Sequence, residues 1–109
     1  MKISVKYSPL SVNKAWQGRR FKTQEYLKFE RDLLLLLPNF RLPDPPYRLE
    51  IEFGMSAASD IDNPVKALLD VMQKKYGFND KFIHQLLVHK TIVKNQSDHF
   101  INFEIKRAT

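Results

Sequence analysis

The chain has 109 residues, no cysteine, 43% apolar side chains and a formal net charge of +6. That length fits one compact domain over residues 1–109, and a domain this small gains buried surface by pairing with a second copy. The missing cysteines exclude disulfides and thiolate metal sites and point to a reducing compartment.

The charge is uneven. Residues 1–30 carry seven Lys/Arg against two Glu, and the remainder carries eleven against ten acids. A basic N-terminal third serves solubility and also suits a polyanionic partner such as nucleic acid. The N-terminus alternates (Lys2-Ile3-Ser4-Val5-Lys6), so it lacks the apolar core of a signal peptide, and the longest apolar run, Leu33 to Leu37, is far too short for a membrane span. A soluble, cytoplasmic protein is expected.

Residues 2–7 alternate with period two, which predicts a strand with Ile3, Val5 and Tyr7 facing the core. Asn13 to Lys22 has no clean period and holds Lys14, Trp16, Arg19, Arg20 and Lys22, which reads as a basic loop. Thr23 caps a predicted helix to about Leu37, with Tyr26, Phe29 or Glu30, Leu33, Leu36 and Leu37 at helical spacing and Pro38 as its stop. Four prolines in residues 38–46 make a rigid connection. Leu49, Ile51, Phe53 and Met55 alternate with charged residues as a second strand.

A second helix is predicted from Pro64 to about Lys75, capped by Asn63 or Asp62, with Val65, Leu68, Leu69 and Met72 as its buried stripe and Gly77 as a left-handed end. Residues 82–93 read as a third strand with Leu87 and Val88 marking a bulge or a fully buried stretch. Asn95 to Asp98 make a turn, and His99 to Lys106 form the fourth strand. The order is β-α-β-α-β-β, an α+β domain with a mixed sheet and two helices. The second and third strands should be parallel and the third and fourth a hairpin.

The chemistry concentrates in the middle of the chain. Asp60 and Asp62 sit two residues apart before a helix, so extended backbone projects both carboxylates to one side. Two such carboxylates repel unless a cation intervenes, and magnesium suits hard oxygen ligands. Lys66 and Asp70 follow at steps of four along one helix edge, and Asp80 follows the Gly77 turn. A β-α-β unit is expected to return Asp80 to the neighbourhood of Asp60 and Asp62. Singly, Asp62 or Asn63 is a helix cap, Lys66–Asp70 a solvated pair and Asp80 a turn residue. Together, on a basic chain without a phosphate-binding glycine loop, a zinc-ligand pattern or a serine elbow, they point to a metal site. The three histidines read as surface or hairpin residues.

Ser59-Asp60-Ile61-Asp62-Asn63, Lys66, Leu69-Asp70, Gly77, Asp80 and Ile83 resemble the RusA family of Holliday junction resolvases, often encoded by prophages. The upstream Pro9-x-Ser11-x-Asn13-Lys14 and the Arg/Thr-containing loop before the first helix extend the resemblance over nearly the whole chain. One position departs from the family pattern: Asn79-Asp80 stands where the family carries paired acids, and Asp80 matches the second of them.

The resemblance implies a homodimer, dependent on magnesium or manganese, that resolves four-way junctions by paired nicks. Asp60, Asp62 and Asp80 would be the metal-binding catalytic acids and Lys66 a catalytic cation. In the mechanism expected here, Asn63 fixes the loop by capping and Asp70 orients Lys66. Lys14, Arg19, Arg20 and Lys22 would contact the DNA backbone, positioning the protein without reading sequence. The alternative reading is a non-catalytic module that binds DNA junctions.

Overall fold

The computed structural model describes residues 2–10, 16, 17 and 21–109. In chain order these form β1 (Lys2–Val5), β2 (Trp16–Gln17), β3 (Phe21–Lys22), α1 (Gln24–Leu36), β4 (Tyr47–Met55), α2 (Val65–Tyr76), β5 (Ile83–Ile92) and β6 (Phe100–Arg107). Single 3₁₀ turns span Asp80–Phe82 and Gln96–Asp98. The domain is α+β with the expected β-α-β-α-β-β order. The two-residue strands β2 and β3 pair antiparallel inside the segment read as a loop.

Alternation builds the main sheet. Leu49, Ile51 and Phe53 of β4 are buried while Arg48, Glu50 and Glu52 between them are only half-buried. Ile101, Phe103 and Ile105 of β6 and Ile3 and Val5 of β1 point the same way. Against this face pack Tyr26, Phe29 and Leu33 of α1 and Ala67, Leu68, Val71 and Met72 of α2, all in one core. Burial of each such large side chain contributes about 1.5–3 kcal/mol. The other face carries polar residues, as an antiparallel layer wetted on one side does.

Strand order is β1-β6-β4-β5, with β4–β5 parallel as expected and the other pairs antiparallel. The expected hairpin between the last two strands is absent. β6 instead inserts between β1 and β4. The physical reason lies in burial: β6 presents three fully apolar inward positions and belongs in the middle, whereas β5 is largely exposed and takes the edge.

Local corrections follow the same logic. The irregularity in β5 falls at His84, where the register with β4 shifts between Tyr47 and Arg48, and not at Leu87–Val88. Thr23 caps α1 by accepting from the Tyr26 backbone N–H, but Leu36 faces solvent and Leu37 takes the buried place. In α2, Ala67 and Val71 join Leu68 and Met72 in the core, and Val65 and Leu69 are only half-buried. Gly77 ends α2 at φ 71°, the left-handed cap expected.

Candidate functional site

The β4–α2 connection holds Asp60 and Asp62. It is a chain of tight turns: the Ser59 N–H donates to the Ser56 carbonyl, the Asn63 N–H to Asp60 and the Val65 N–H to Asp62. Pro64 occupies the N-cap, and no side chain caps α2. The expected capping role of Asn63 is therefore not realised. The Asp62 carbonyl serves the first helical N–H instead, which leaves the Asp62 carboxylate free of cap duty and exposed.

Lys90 of β5 fixes this connection from the side. It lies beside Phe53 on the inward face of the sheet, where the edge strand leaves room for a charged head group. Its ammonium donates to the Ala57 carbonyl at 3.0 Å and to the Ser59 carbonyl. The Ser56 and Ser59 hydroxyls bond each other at 2.9 Å. Hydrogen bonds from a charged donor contribute about 1.5–3 kcal/mol, so Lys90 is a firm clamp on the residues just before Asp60.

A groove of about 470 Å³ runs between α2 and β5, walled by Ile61, Val65, Leu69, Leu86 and Val88, with Asp62, Lys66, Asp70 and Asp80 as its polar lining. Lys66 pairs with Asp70 at 3.7 Å, as the spacing predicts. The Lys66 side chain is 63% exposed, and such a pair contributes no more than about 1 kcal/mol, so an incoming phosphate can take the lysine. The Tyr26 hydroxyl donates to Asp70 at 3.5 Å. Burial, and then the charge of Asp70, holds that phenol well above the usual tyrosine range, so it stays a donor.

Asp60 lines a different cavity, of about 230 Å³, together with Asn63, Pro9 and His99. Asp80 stands at the other end of the groove. Its backbone N–H donates to the Gln73 side chain at 2.9 Å, and Gln73 lies eight residues beyond Val65, about 12 Å along the helix. The expectation that the crossover returns Asp80 to Asp60 and Asp62 within one protomer is not met. A parallel β-α-β unit puts its first loop at the C-terminal ends of the strands and its second at their N-terminal ends. Among the described residues, no group of three His, Asp or Glu side chains is placed to hold one cation. The donor type, carboxylate oxygen, still suits a hard divalent ion.

Lys14, Arg19 and Arg20 lie outside the described residues, and Lys22 falls on β3. Two residues that sequence reasoning did not single out belong to the site: Lys90 and His99. A lysine among the inward positions Leu86, Val88 and Ile92 is a legible signal for Lys90 once the register is known. Nothing in the sequence marks His99. The chain matches no family model and no curated protein.

Proposed function

We propose that this chain is a metal-dependent endodeoxyribonuclease acting on branched DNA as a homodimer. The observation that carries the reading is the groove beside α2, where three carboxylates and one weakly held lysine line a single open surface on a basic chain. A magnesium ion bound there would lower the pKa of a water and polarise a phosphate. Asp62 at one end of the groove and Asp60 from the adjoining turn would hold it, with Asp80 of a second copy as the third acid. Lys66 stabilises charge developing on the phosphoryl oxygens, and Asp70, itself held by Tyr26, keeps Lys66 aimed along the groove.

Separation of Asp80 from Asp60 in one protomer favours assembly. β5 is a sheet edge with Leu86, Leu87 and Ile92 40–63% exposed, a surface that pairs readily with another strand. Two copies joined antiparallel along β5 would set the start of one β5 against the end of the other. Asp80 of each copy would then lie beside the Asp60–Asp62 turn of the second copy, because Val93, just past β5, bonds the Met55 carbonyl at the end of β4. Such a C2 dimer also matches the two-fold symmetry of a four-way junction. The same separation favours, as a second reading, a module that binds junctions without cutting them.

A cleavage assay on four-way junctions with and without Mg²⁺ tests the proposal. Paired nicks are expected with the metal, none without it, and none from Asp60→Asn or Asp62→Asn while junction binding persists. Binding without cleavage by the wild type under every divalent ion would leave the second reading in place.

A further inference from the structure

We infer that a second, basic cavity next to the Asp60 turn takes the sugar–phosphate backbone of the DNA strand flanking the cleaved bond. This rests on the nuclease reading above and extends it to the path of the substrate. The cavity, about 360 Å³, lies between the end of β1, the outer side of α1 and the turn before β6. Lys6, Lys28, Ser8, Ser97 and His99 line it and supply N–H and O–H donors.

Asp32 is the one carboxylate among the described lining residues, and its charge is already engaged. It accepts from the Tyr7 hydroxyl and from Arg31 Nε at 3.4 Å, and these bonds together with the charges of Arg31 and Lys28 hold its carboxyl below the usual range. Asp32 draws on both Arg31 and Lys28, and the lining still carries two lysines against one carboxylate, a net positive surface. Two cations with hydroxyl donors suit successive phosphates of one strand, which are recognised mostly by lysine, arginine and hydroxyl contacts.

His99 lines this cavity and also the smaller one that contains Asp60. A strand whose scissile phosphate sits at Asp60 would therefore run past His99 toward Lys6 and Lys28 without leaving the surface. Phe100 holds this end of β6 in place, since its ring lies where a β-carbon on Gly54 would fall.

The test is binding of a synthetic four-way junction, followed by fluorescence anisotropy in EDTA across a salt series. The Lys6→Ala/Lys28→Ala protein is compared with Lys106→Ala/Arg107→Ala, which removes the same charge at the far end of β6. The first variant should lose about 1–2 units of the salt slope, near 0.9 per lost phosphate contact, and the second should keep the wild-type slope. Asp32→Asn, which adds no bulk, should bind several-fold tighter. Equal slopes for the two double variants, or a wild type with no salt-dependent binding, would overturn the inference. Junction cleavage by the same proteins in Mg²⁺ is read separately. A wild type that binds with the expected slopes but never cuts removes the nuclease reading and leaves the strand path standing, and cleavage with equal slopes does the reverse.

Discussion

The two loops of the β4–α2–β5 crossover differ in what holds them. The first, residues 56–64, is pinned by Lys90 on two carbonyls, by a serine pair and by successive backbone turns. The second, residues 77–82, is held by the Gly77 cap, by the Asn79 side chain accepting from the Lys81 N–H, by turn bonds from the Phe82 N–H to Asn79 and the Ile83 N–H to Asp80, by Phe78 against Tyr47, and by one bond from Asp80 to Gln73. The difference is one of kind: a charged side chain from another strand clamps the loop of Asp60 and Asp62, whereas a neutral amide of the preceding helix holds Asp80. Rigid first contacts are what a metal or phosphate site needs, because loose ligands must be ordered at the moment of binding.

Subunit exchange tests whether the two loops serve one centre. Asp62→Asn and Asp80→Asn proteins, each inactive alone, are mixed and allowed to exchange subunits. If the acids meet across a dimer, the mixture recovers about a quarter of wild-type sites, the statistical yield for an isologous C2 pair, and it makes single nicks. An exchanged mixture that stays silent would place all three acids within one protomer, and an Asp80→Asn protein active by itself would remove Asp80 from the chemistry.

Next come the anchors of the two loops. Lys90→Met should cost about 1.5–3 kcal/mol, and Gln73→Ala about 0.5–1.5 kcal/mol, by the ordinary difference between charged and neutral donors. Denaturant unfolding gives both values, and amide exchange locates them: Lys90→Met should speed exchange at Ser59 and Asn63, Gln73→Ala at Asp80 and Phe82. Faster exchange at Asp80 in Lys90→Met than in Gln73→Ala would mean that the two loops are not separately held.

The glycines sharpen the contrast at closer range. A β-carbon at Gly54 would stand 2.3 Å from the Phe100 ring, so Gly54→Ala should cost about 1–3 kcal/mol by overpacking. Gly77→Ala meets no neighbouring atom and should cost about 1–2 kcal/mol, the left-handed backbone alone. Thermal melts of the two variants should rank them in that order.

The smallest effect is on alkaline stability. Burial pushes the Tyr76 phenol up to about 12, and burial with the Asp32 hydrogen bond does the same for Tyr7. A phenol whose folded value is raised favours the fold fully below its ordinary value of 10 and loses that contribution as pH rises through 12. Stability should therefore decline between pH 10 and 12, and Tyr76→Phe should flatten that decline. An unchanged slope in urea melts across this window would assign the decline to other groups.

Much of this molecule is legible without coordinates. The period of two in β1, β4 and β6, the Thr23 cap, the Gly77 stop and the i, i+4 step from Lys66 to Asp70 are local matters, settled within a few residues by backbone geometry. The closeness of Asp60 to Asp62 is local in the same way. Strand order is not local: β6 enters the middle because its inward face is the more apolar, and the strands it pairs with there, β1 and β4, lie far from it in sequence. The same holds for Asp80, set at the opposite end of α2 from Asp62 by the direction of a parallel crossover. Lys90 and His99 gain their places only when an edge strand and a distant turn close around Asp60, since contacts between segments depend on which surfaces bury most together, a quantity no single stretch contains.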